Sequence, residues 1–91
     1  MSIMTKTYYF GHDIVIPDQD ILNSVMRELS KDILNPSVSV NTKKEDYKLH
    51  EGRDRYTSEI KITYDSDNVT VDDYDMSAAI RNAVLVLFIK Y

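Results

Sequence analysis

The stretch MSAAIRNAVLVLFIKY, residues 76–91, decides the fold. Met76, Ala79, Ile80, Ala83, Val84, Leu87, Phe88 and Tyr91 recur at the spacing of one helical face. The spacing predicts a closing helix, with Asp75 as its cap. Leu85, Val86 and Ile89 add apolar groups on the other sides, so the second half needs cover on more than one face. One small sheet covers one face; a second copy of the chain covers the other. The expectation is a homodimer with Leu85, Val86 and Ile89 at its interface. The same run, residues 84–89, also reads as a strand after a shortened helix, which periodicity leaves open.

Working outward, the segment before this helix is acidic. Asp65, Asp67, Asp72, Asp73 and Asp75 stand within residues 65–75, with no basic residue among them. Residues 65–68 read as a turn, and Val69-Thr70-Val71 as a short strand. As a calcium loop starting at Asp65, the segment puts Thr70 where the sharp-turn glycine belongs and Met76 where the bidentate glutamate belongs. No metal is expected there.

Residues 56–64 are a strand, with Tyr56, Ile60, Ile62 and Tyr64 on one face and Glu59, Lys61 and Thr63 on the other. Val38 and Val40 mark a second strand. Between them lies a charged hairpin carrying Lys43, Lys44, Lys48, Arg53 and Arg55, with Tyr47 and Tyr56 interleaved and Glu51-Gly52 as its turn. Cations for phosphate and rings for stacking make this a candidate nucleic-acid contact. Glu45, Asp46, Glu51 and Asp54 nearly cancel its charge. A two-residue turn at 51–52 would also set Ile60 and Ile62 opposite Lys43 and Asn41, so a bulge or a looser tip is required.

Toward the start, Ile21, Leu22, Val25, Met26, Leu29 and Ile33 make an amphipathic helix, entered at Asp18 as N-cap and ended by Asn35-Pro36. Residues 5–16 read as one long strand with a bulge at Gly11, in preference to a short hairpin turning there. The resulting order is β-α-β-β-β-α. That is an α+β fold: one domain over residues 1–91, with an antiparallel sheet of three to four strands and two helices packed on it.

Chemistry-bearing patterns are few. The chain has no cysteine, hence no disulfide framework and no thiolate. Its two glycines cannot build a phosphate-cradling loop. His12-Asp13 are neighbours on a strand and point to opposite faces, which argues against a catalytic pair. The expectation is a non-enzymatic protein without cofactor. The start, MSIMTKTYYF, lacks a signal-peptide pattern, and the longest apolar run, 83–89, is too short for a membrane span. Cytoplasmic residence is expected. A net charge of −4 and a pI near 5.0 give no global drive toward nucleic acid or an anionic membrane.

In size and composition, being short, cysteine-free and rich in Asn, Asp, Lys, Ile and Tyr, the chain resembles small acidic early proteins of bacteriophages. Among these are anti-restriction proteins that imitate DNA. The resemblance implies an inhibitor that binds a host nucleic-acid-binding protein in the host cytoplasm through an acidic surface. Here the candidates for that surface are Asp65, Asp67, Asp72, Asp73 and Asp75. The alternatives are a nucleic-acid-binding module using the hairpin 43–56, and a small virion or assembly component.

Overall fold

The computed structural model describes residues 2–45 and 54–91. The chain runs β1 (Ile3–His12), α1 (Asp18–Leu29), β2 (Ser37–Glu45), β3 (Arg55–Asp65), a 3-10 turn (Ser66–Asn68) and α2 (Asp73–Lys90). The strands form one antiparallel sheet of order β1-β3-β2, and both helices contribute to the core on one face of it. The fold is α+β, as the residue pattern predicts.

β3, the central strand, is the most deeply buried of the three. Ile60 and Ile62 are fully buried, and Tyr64 nearly so. Val40 pairs with Ile60 and Val38 with Ile62, while Tyr8 meets Ile60 from the other side. This alignment is not the one that an unbroken ladder from a two-residue turn at 51–52 would give. Glu45 pairs with Arg55, so the connection spans residues 46–54. A register that put the valines on the solvent face would forfeit the burial of both, so packing of Val38 and Val40 sets the alignment. Glu51, Gly52, Tyr47, Lys48 and Arg53 lie outside the described residues.

β1 ends earlier than its β-prone residues suggest. Its register runs unbroken through Gly11 opposite Thr57 and His12 opposite Tyr56, so Gly11 is no bulge. The Arg55 guanidinium lies 3.5 Å from where a Cβ at Gly11 would stand, an ordinary contact distance. Past His12 the chain leaves the sheet. His12 Nδ1 donates to the Ile14 carbonyl at 2.8 Å, and Ile16 turns into the core.

Helix α1 buries Ile21, Val25 and Leu29. Its N-cap is Pro17 and not Asp18; the Asp18 carboxylate instead accepts from the Thr42 amide at 3.4 Å. The helix stops at Leu29, and a further turn carries Ile33 into the core before Asn35, at φ 50°, redirects the chain into β2. Asparagine tolerates that left-handed conformation better than most residues.

Helix α2 is continuous from Asp73 to Lys90, so residues 84–89 are helix and not strand. Its cap is Asp72, whose carboxylate accepts from the Asp75 amide at 2.8 Å, and Asp75 lies in the first turn. Residues 69–71 do not form a fourth strand. Only four residues separate the 3-10 turn from α2. That length is spent dropping Val69 and Val71 against the core, leaving none to run along a sheet edge. No described helix is long and apolar enough to cross a membrane.

Candidate functional site

The five aspartates of residues 65–75 lie along the segment from the end of β3, through the 3-10 turn, to the first turn of α2, in a molecule of 48 × 23 × 21 Å. Asp65 ends β3 and caps the 3-10 turn, its Oδ1 accepting from the Asp67 amide at 3.0 Å and the Ser2 amide at 3.2 Å. Asp72 caps α2, and Asp73 pairs with Lys6 of β1. Asp67, Asp72, Asp73 and Asp75 are exposed, and Asp65 is half-buried. Two of these carboxylates are therefore held by backbone amides and a third by an ion pair. Carboxylates at helix starts also sit where the backbone dipole favours negative charge.

The hairpin candidates divide between two sides of the sheet. Lys43 and Arg55 fall on the face away from the helices, whereas Lys44 is in phase with the core face and pairs with Asp54 at 3.2 Å. The bare face also carries Tyr9, 68% exposed, and Lys61, which pairs with Glu59 at 3.5 Å. Among the described residues, then, the cations of the stalk do not form one patch.

The three interface candidates on α2 are all exposed, Leu85 at 42%, Val86 at 57% and Ile89 at 91%, and they span an arc of about 100° round the helix. Val86 borders a shallow groove between the helices of about 320 Å³, with Asp20, Asn23, Arg27 and Lys90. Leu85 borders a depression over β1, with Tyr9, Phe10, Gly11 and Arg81. Ile89 stands on the crown between them, because successive helical residues are about 100° apart.

One polar constellation was not legible as such in the sequence. Ser58 Oγ lies 2.8 Å from His12 Nε2 and 2.7 Å from Thr42 Oγ1. His12 is stacked on Tyr56, with centroids 5.8 Å apart, and tilted against Phe88. A histidine bonded to a serine hydroxyl has the outline of a nucleophile and its base. Ser58 is nevertheless fully buried and His12 only 3% exposed, so no substrate reaches either. Asp13 has no part in it. The signal was the phase of Ser58, which falls on the apolar face of β3 with Tyr56, Ile60, Ile62 and Tyr64. A hydroxyl at a core position demands a buried partner.

No cluster of metal-ligating side chains occurs among the described residues. Comparison with protein families, with curated proteins and with solved structures finds no match to this chain.

Proposed function

We propose that this protein is a non-enzymatic, homodimeric interaction protein whose acidic segment binds a basic surface on a protein partner. In its sharpest form it inhibits a nucleic-acid-binding protein by imitating the charge of a nucleic-acid backbone. The observation that supports this reading is the fixing of the acidic segment. Asp65 and Asp72 are anchored on backbone amides and Asp73 on Lys6, so these charges are set in place before any partner arrives. A preset array loses less conformational freedom on binding than mobile side chains would. Electrostatic complementarity of this kind governs partner choice and association rate. The composition shared with phage-encoded DNA mimics points the same way.

The test is capture from a bacterial lysate with mass spectrometry, run beside a gel shift with duplex DNA. Recovery of a basic DNA-binding protein without any shift supports the proposal. A direct, salt-sensitive shift lost on substitution of Lys43 and Arg55 would replace it with the nucleic-acid-binding module.

A further inference from the structure

β1 is an outer strand of the sheet, and its outward edge has no partner among the described residues. The amide of Ser66 donates to the carbonyl of Ser2 at 2.8 Å, which fixes the phase of the ladder. Even-numbered residues of β1 bond to β3. The N–H and C=O groups of Ile3, Thr5, Thr7, Tyr9 and Gly11 therefore point out of the sheet. The strand is ten residues long, with no proline and no bulge, and its one lysine, Lys6, is drawn away from the edge by Asp73. Directly over it lies the Leu85 side of α2, bordering Tyr9, Phe10 and Gly11.

We infer that the β1 edge pairs antiparallel with the β1 edge of a second copy, with the Leu85 side of α2 covering the seam. This deepens the homodimer in the proposed function by assigning its surface. The sequence of β1 suits self-pairing about Thr7. That register sets Thr7 against its own copy, Thr5 against Tyr9, Lys6 against Tyr8, Met4 against Phe10 and Ile3 against Gly11. No like charges meet, and Ile3 and Met4, both exposed in the single chain, gain cover. An antiparallel edge can satisfy itself across a twofold axis with about ten hydrogen bonds. α2 runs the same way as β1, since Asp73 lies by Lys6 and Phe88 by Phe10. The twofold thus sets the acidic start of each α2 toward the partner's Lys90 end. A flank of about 33 Å by about 18 Å buries roughly 1,200 Å² over both copies, enough for a specific dimer.

The experiment is light scattering at about 50 µM on the wild type and three variants, with the fold checked by circular dichroism. Thr7→Pro removes an outward N–H that β3 does not use, and Leu85→Glu charges the seam; both are expected to give folded monomers. Val86→Glu, about 100° round α2 on the margin that faces α1, is expected to remain dimeric. A dimer lost in Val86→Glu but kept in Thr7→Pro and Leu85→Glu would overturn this surface and leave the homodimer standing. A monomeric wild type would overturn both. Amide exchange on the wild type gives the same answer without mutation. Thr5, Thr7 and Tyr9 amides protected in a concentration-dependent manner support the edge pairing, and rapid exchange at every concentration refutes it.

Discussion

Ser58 Oγ sits 2.8 Å from His12 Nε2, joining the last residue of β1 to the middle of β3 beneath the Phe88 ring of α2. Every buried side-chain nitrogen and oxygen among the described residues has a partner, and this pair is the deepest of them. Its role follows from burial: it orders the end of the sheet where the chain turns away at Ile14.

Ser58→Ala is expected to lower stability by about 1–3 kcal/mol, because His12 Nε2 is left buried and unpaired. Thr42→Val should cost less, since Thr42 is only half-buried. Urea denaturation checks both. Equal stability of Ser58→Ala and wild type would mean that the ring nitrogen finds another partner.

Ile60→Ala should cost about 2–5 kcal/mol, because Ile60 is fully buried in the central strand with Tyr8 and Val40 opposite it. A loss under about 1 kcal/mol would contradict the packing described for this face.

Asp72→Ala should cost about 1 kcal/mol through loss of the α2 cap, and Asp75→Ala about half of that or less through the helix dipole alone. Thermal unfolding of the two variants orders them. The reverse order would restore Asp75 as the cap.

Burial, and then the neighbouring Tyr64, push the Tyr8 phenol above its ordinary value of 10.0. The folded state therefore favours the neutral phenol. The stability this contributes is complete below the unfolded value and is lost as pH rises through the raised folded value. Tyr8→Phe should flatten the alkaline fall in stability above about pH 10. Parallel curves for the two proteins would contradict it.

The two helices, the central strand and the α+β class were legible because apolar spacing records burial directly, as with Val25 and Leu29 or Ile60 and Ile62. Boundaries were less so. Tyr8, Tyr9 and Phe10 promise strand as strongly as Ile14, Val15 and Ile16 do. What ends β1 is a long-range accident of register, His12 meeting Ser58 and seizing the Ile14 carbonyl. Asp72 and Asp75 are equally good capping residues in sequence, and only the path of Val69 and Val71 into the core selects Asp72. The edge status of β1 depends on strand order, which no local pattern encodes. The acidic segment was legible as composition, but the ion pair of Asp73 with Lys6 joins residues 67 positions apart.

Asparagine caps about as well as aspartate, so changing Asp65, Asp67, Asp72, Asp73 and Asp75 together to asparagine removes charge while keeping both caps. The decisive measurement is the affinity of wild type and this fivefold variant for the captured partner, titrated at about 20 mM and about 150 mM salt. Wild-type binding is expected to weaken steeply with salt, and the variant to bind at least about tenfold more weakly at the lower concentration. Equal affinities at low salt, with the variant folded, would show that these carboxylates are not the contact surface.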